Sequence, residues 1–313
     1  MRKGRPFVLG AALVLLALPA LLAVAEAVSY RVVNRSNGSL VSSGTRREYL
    51  LYVPRGVDST RPAPLVISLH GGAMWGAAQK ETSQWNRVAD EHGFIVVYPS
   101  AVGGHGPRAW EADGGPGQAG DVRFIAELID TVAARYAIDR ARVYANGLSN
   151  GGGMSFVLSC TLSDRIAAVG VVAPAIFLPW SACTDRRAVP MIAFHGTADR
   201  HTPYHGGPSW VARLGLPNIP RWTAAWARKN GCGPEPVVSV AAADVTRLEY
   251  VNCAEAAAVV LYTIHGGGHT WPGGTPLPEW FAGSTTNSID ASSEMWAFFR
   301  EHPLRQAPST ARR

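Results

Sequence analysis

The sequence predicts one α/β domain built on a mostly parallel sheet that is buried on both faces. Three observations predict it. Short, near-continuous apolar runs alternate with segments of helical periodicity, and runs apolar on both faces belong to covered parallel strands. Connections are short, with no long linker and no internal repeat. Motifs rich in glycine and histidine follow directly on several of the runs, at the carboxyl edge of the sheet, where reactive loops gather.

The elements follow in order. Tyr30–Asn34 and Arg47–Val53 read as strands separated by a Ser/Asn/Gly-rich turn, an antiparallel start to the sheet. After a loop from Pro54 to Pro64, Leu65–Leu69 is a buried strand ending in His70-Gly71-Gly72. Ala77–Glu91 has helical spacing, with Trp85, Val88 and Ala89 on one side. Phe94–Tyr98 is the next strand, stopped by Pro99, and residues 101–120 form a long Gly/Pro-rich loop. Asp121–Tyr136 reads as a helix capped by Asp121, with Val122, Ile125, Leu128, Ile129 and Val132 on its buried stripe. Strands are expected at Ala167–Ala173, Met191–Phe194, Val237–Val240, Thr246–Val251 and Val259–Ile264. Helices are expected at Asn218–Asn230 and Ser288–Arg300.

The chain has 313 residues, 47% of them hydrophobic and 17% charged, enough for a full core. Arg2, Lys3 and Arg5, the apolar stretch Phe7–Val24 and the small-x-small Ala25-Glu26-Ala27 read as a signal peptide over 1–27. A membrane anchor is the competing reading, and Pro19 with the Ala-x-Ala site favours cleavage. The expected organisation is a catalytic domain over 28–302 and a polar tail over 303–313. Residues 1–27 hold three basic groups and one acidic group, so net charge falls from +6 to +4 on their removal. No Lys/Arg run marks a nucleic-acid partner, and no membrane anchor is expected after cleavage. The chain is expected to be a monomer, exported to the periplasm or beyond. Its cysteines, Cys160, Cys183, Cys232 and Cys253, are even in number, which in an exported protein points to two disulfides. Of three pairings, Cys160–Cys183 and Cys232–Cys253 close the shortest loops and are expected. Zinc is the alternative, but no ligand spacing supports it, and no metal or cofactor is expected.

The stretch Val143–Met154 carries Gly147-Leu148-Ser149-Asn150-Gly151 between a β-prone run and a helix-compatible segment, the layout of a nucleophile elbow. A serine hydroxyl needs a base within reach, and the base needs an orienting acid. In the order Ser, acid, His these are Ser149, Asp199 and His269. Asp199 sits in a turn after a strand, ahead of its rivals Asp185 and Glu255; His269 sits in a Gly-rich loop after the last strand, ahead of His265. His195 and His201 flank the acid. The oxyanion donors are expected to be the N–H of Asn150 and that of Gly72, with Ala73 the alternative to Gly72. Trp110, Trp180, Trp271, Trp280 and Phe281 are candidates for an aromatic substrate wall.

These pieces resemble a known family. Leu69-His70-Gly71-Gly72, Asp121-Val122 with Phe124-Ile125, Val143–Gly152, His195-Gly196-Thr197-Ala198-Asp199 and Gly267–Gly273 are similar to the secreted bacterial esterases of polyhydroxybutyrate depolymerase-like or feruloyl-esterase-like type, in carbohydrate esterase family one. The resemblance covers residues 45–300, and its last motif is the most specific. It implies an α/β-hydrolase fold, a serine carboxylic ester hydrolase without cofactor, the same triad and the neighbour pairing of cysteines. It implies ester substrates, of plant cell walls or polyesters. Family members often carry a cysteine where this chain has Gly72, and the polyester depolymerases add a polymer-binding domain, which residues 301–313 are too few to encode. An acyltransferase or peptidase on the same fold is the alternative, and a non-catalytic binding module a third.

Overall fold

The computed structural model describes Val28 and residues 35–304, apart from 59, 103–106 and 214. The expected signal peptide, the strand at 30–34 and most of the tail lie outside the described residues.

Among the described residues, ten strands form one sheet: β1 (Gly38–Ser42), β2 (Thr45–Tyr52), β3 (Ala63–Leu69), β4 (Ile95–Pro99), β5 (Ile138–Leu148), β6 (Ala168–Val172), β7 (Met191–Gly196), β8 (Val237–Ala242), β9 (Val245–Tyr250) and β10 (Val259–Ile264). Their order is β1-β2-β4-β3-β5-β6-β7-β10-β9-β8. The run from β4 to β10 is parallel throughout. An antiparallel hairpin flanks it at each edge. This is the α/β-hydrolase arrangement, as expected. The first hairpin departs from expectation. The turn is only Ser43-Gly44, both at positive φ, and the Ser/Gly-containing 38–42 stretch pairs with β2 as a strand.

Seven helices are described: α1 (Gly76–Ser83), α2 (Trp85–His92), α3 (Gln118–Ala133), α4 (Asn150–Thr161), α5 (Ile219–Lys229), α6 (Glu279–Ala282) and α7 (Ala291–Glu301). The sheet alternates its side chains between two cores. Leu65, Ile67, Leu69, Val169 and Val171 meet α3, α4 and α5 on one face. Val66, Val96, Tyr98 and Val172 meet α2 and α7 on the other. Both alternating sets are buried, which is why these strands read as unbroken apolar runs. Each large side chain so buried contributes about 2 kcal/mol. The disulfides are Cys160–Cys183 and Cys232–Cys253, as expected, and each adds ~3 kcal/mol by restricting the unfolded chain.

Two helix expectations are corrected. The single helix over 77–91 is broken at Gln84, which adopts a left-handed conformation that ends α1 and starts α2. Asp121 does not cap a helix; α3 begins at Gln118, and Asp121 lies in its first turn. Its carboxylate is instead held by Arg47 Nη2 at 2.7 Å and by the Glu111 N–H at 2.9 Å, while the guanidinium lies 4.0 Å over the Phe124 ring. Both charged side chains are buried. This pair fastens β2 and α3 to the 107–117 loop. Asp121→Ala strands the arginine and is expected to cost about 3–5 kcal/mol of stability by urea denaturation, while Arg47→Met with Asp121→Leu costs much less. A single-variant cost under about 1 kcal/mol would contradict a tightly closed pair.

Candidate active site

β5 ends at Leu148 and α4 begins at Asn150, so Ser149 alone makes the turn. Its φ of 55° and ψ of −117° are strained for a side chain and put it at the helix N-terminus. The turn fits because Gly147 and Gly151 lie against backbone. A Cβ on Gly147 would lie 2.8 Å from Leu69 O, and one on Gly151 2.6 Å from His70 O. The Ser149 N–H donates to Val172 O at 2.9 Å, and its carbonyl accepts from Gly153 and Ala175.

The 70–74 loop lies beside the elbow, where a Cβ on Gly71 would stand 3.5 Å from Ser149 Cβ. His70 holds the loop. Its Nε2 accepts the Ala101 N–H at 2.9 Å, so its Nδ1–H donates to Gly71 O at 2.7 Å. Burial pushes the ring down to about 4, so it stays neutral. The Ala73 N–H is taken by Arg108 O at 2.7 Å, whereas among the described residues no backbone acceptor takes that of Gly72.

The acid side is saturated. Asp199, in the turn after β7, accepts the N–H groups of His201 and Thr202 at Oδ1, at 2.8 and 2.9 Å. Its Oδ2 accepts Thr202 Oγ1 and His269 Nδ1, both at 2.8 Å. Burial pushes this carboxyl up, but the His269 hydrogen bond and the neighbouring imidazoles outweigh it and hold it at about 2. His195 lies behind it, with Nε2 3.5 Å from Asp199 Oδ2 and 2.7 Å from Thr202 O. Burial holds His195 at about 4, against the pull of Asp199. With Nδ1–H committed to Asp199, the His269 ring carries its lone pair at Nε2. The one Thr202 hydroxyl hydrogen is shared between Asp199 Oδ2 and Ala173 O, the latter 3.1 Å away. The Asp199–His269 pair and the elbow therefore both hang on residues 172–175.

The rivals stand elsewhere. Asp185 precedes β7, at the opposite edge of the sheet, and pairs with Lys229. Glu255 precedes β10 at that same edge. His265 turns to Thr246 Oγ1 at 2.8 Å.

The aromatic wall is corrected in part. Trp110 is only 2% exposed and Trp271 1%, so neither presents a face to a substrate. Trp110 braces the site from behind: its backbone N–H and C=O are both held by the Asn150 side chain, and its Nε1–H donates to His70 O. Trp271 donates to Ser292 Oγ and pins the His269 loop to α7. Trp180 packs on Phe156, Trp222 and Trp226. Trp280 and Phe281, on α6, are 84% and 44% exposed. Sequence reasoning missed Trp210, 68% exposed, whose ring meets Phe281 at 6.4 Å and His201 at 5.2 Å. Nothing in its local sequence marks it, because its partner Phe281 is 71 residues further along the chain.

Residues 47–190 match the family model described as Esterase PHB depolymerase. The matched stretch holds the elbow and the 70–74 loop, and Asp199 and His269 follow it. Over 236 residues the chain is 33% identical to feruloyl esterase B of Piromyces equi, covering 71% of this chain and 42% of that protein. The chain thus spans about two fifths of that relative's length. Over 274 residues it is 27% identical to feruloyl esterase C of Emericella nidulans, covering 85% of this chain and 86% of that one. An acetyl xylan esterase from Aspergillus awamori shares the fold, with a TM-score of 0.60 at 16% identity over 84% of this chain and 98% of that one.

The buried imidazoles set a pH dependence. His70 and His195 sit at about 4 when folded, against an ordinary value of about 6.5. Between those values the unfolded chain binds protons that the folded chain does not. Stability is fully present above about 6.5 and falls toward pH 4, by up to about 1.4 kcal/mol per pH unit for each ring. Urea midpoints are expected to drop steadily from about pH 7 to about pH 5; equal midpoints would contradict buried neutral histidines.

Proposed function

We propose that the chain is an exported serine carboxylic ester hydrolase working through an acyl-enzyme. The observation that carries the reading is the saturated Asp199 carboxylate bonded to His269 Nδ1, tied through Thr202 to the segment that holds Ser149. In this reading Ser149 Oγ attacks the ester carbonyl and His269 Nε2 takes its proton. Asp199 keeps the imidazole in the productive tautomer and stabilises the imidazolium. The N–H groups of Asn150 and Gly72 receive the oxyanion, helped by the dipole of α4. The alcohol leaves with the proton from His269, and water then releases the acid by the same route.

Trp210, Trp280 and Phe281 offer an exposed aromatic rim beside His201 and His269. A groove of about 230 Å³ adjoins it, lined by Arg200, Trp280, Phe281 and Ser284. The rim suits an ester with a flat aromatic or extended apolar acyl group, as in plant cell-wall esters and polyesters. The names of the feruloyl esterase relatives support that class. The two disulfides support an oxidising compartment.

The test is a panel of p-nitrophenyl acetate and butyrate, methyl ferulate, acetylated xylan and 3-hydroxybutyrate oligomers. Ser149→Ala is expected to lose at least about 10⁴-fold in kcat on every substrate that the wild type cleaves. Trp280→Ala and Phe281→Ala are expected to raise KM for methyl ferulate more than for the acetate. No ester turnover by the wild type would defeat the reading, and unchanged KM values would remove the rim from it.

A further inference from the structure

His201 is used by none of the chemical steps, yet it touches most of the parts. It lies two residues after Asp199, and its N–H donates to Asp199 Oδ1 at 2.8 Å. Its ring stacks on that of His269, with centroids 4.7 Å apart and planes 26° apart. Its Nε2 is 2.7 Å from Phe281 O, and a carbonyl only accepts, so Nε2 carries the hydrogen. The edges of Phe281 and Trp210 close on the ring at 4.6 and 5.2 Å. Burial holds its pKa below the ordinary histidine range, so the ring is neutral.

A single hydrogen bond fixes one atom of an imidazole. The Asp199–His269 bond holds Nδ1 but leaves the ring free to tilt about that contact, and tilt moves Nε2, the atom that must meet the serine hydroxyl. A second restraint has to act on the plane. The His269 N–H donates to Ala282 O at 2.6 Å, which anchors the backbone but not the ring. Only a face-on neighbour does that, and the neighbour here is His201.

Resting on the ester-hydrolase reading, we propose that His201 is a positioning residue: its stacked ring sets the plane of the His269 imidazole, and its Nε2–H ties that pair of rings to the aromatic rim on α6. The tie gives the rim a mechanical route to the base. α6 is bonded to the base loop at the His269 N–H and to the acid turn at His201 Nε2, so the binding surface and the proton acceptor move as one unit. Neutrality matters to this role, because a charged ring stacked on His269 would oppose the imidazolium formed in catalysis. The charged or titratable groups facing the pair are Asp199 and, behind it, His195.

Two substitutions separate the roles. His201→Gln sets an amide N–H near the Nε2 position but has no ring; His201→Phe keeps a ring and loses the donor. Both are assayed on p-nitrophenyl butyrate and methyl ferulate, per titrated active site, with full pH profiles of kcat/KM and Ser149→Ala alongside. His201→Gln is expected to lower kcat about tenfold or more, with KM for the butyrate within about twofold, and to shift the acid limb of the profile. His201→Phe is expected to recover most of that kcat while raising KM for methyl ferulate, since α6 is no longer tied. The inference is overturned if His201→Gln keeps wild-type kcat, if His201→Phe is no better than His201→Gln, or if both lose active protein and melting temperature with kcat per site and the acid limb unmoved. Full activity in Ser149→Ala would overturn the underlying reading as well, whereas a dead Ser149→Ala beside an unaffected His201→Gln would overturn this inference alone.

Discussion

The site depends on one close approach: the backbone of the elbow lies directly on the backbone at the end of β3. No side chain separates them. Cβ atoms at Gly147 and Gly151 would stand 2.8 Å from Leu69 O and 2.6 Å from His70 O. Since β3 and β5 are paired neighbours, this contact brings the strained serine, the N-terminus of α4 and the 70–74 loop together. Everything around it serves to hold that loop still. His70 bridges Gly71 O and the Ala101 N–H, and Trp110 is clamped between His70 O and the Asn150 side chain. Preorganised donors of this kind need no rearrangement when negative charge develops on a substrate oxygen.

The acid side solves a different problem. Asp199 is buried, and burial alone would favour its neutral form. The His269 hydrogen bond, the imidazoles of His269 and His195 and the Thr202 N–H reverse that preference. Its neighbours divide the work. Thr202 links the turn to Ala173, His195 holds Thr202 O, and His201 faces His269. One cost remains visible, for the Nδ1 of His195 is buried without a hydrogen-bond partner among the described residues.

Legibility in the sequence follows physical range. Strands covered on both faces read as apolar runs, and the elbow reads from its glycines, because both are local consequences of packing. The neighbour cysteines are expected to pair on loop length and on the family resemblance, and they do. The left-handed break at Gln84 was not legible, since neither glycine nor proline marks it. Asp121 looked like a cap because capping is a local rule, whereas its partner Arg47 comes from another strand. Trp271 looked like a substrate contact because it follows His269, and Trp110 because it sits in a long Gly/Pro-rich loop, but only tertiary packing decides which face of an indole meets water. His201 carried a weak signal, a second histidine beside the acid, but its stacking partner arrives from a loop 68 residues on, at His269.

The central claim is that Ser149 is the activated nucleophile of this arrangement. Its most direct test is covalent labelling of the folded protein with a fluorophosphonate, followed by intact-mass measurement and peptide mapping. The account requires one adduct per chain, on the peptide containing Ser149, and its disappearance in His269→Ala. No adduct on the folded wild type, or one on another residue, would contradict it.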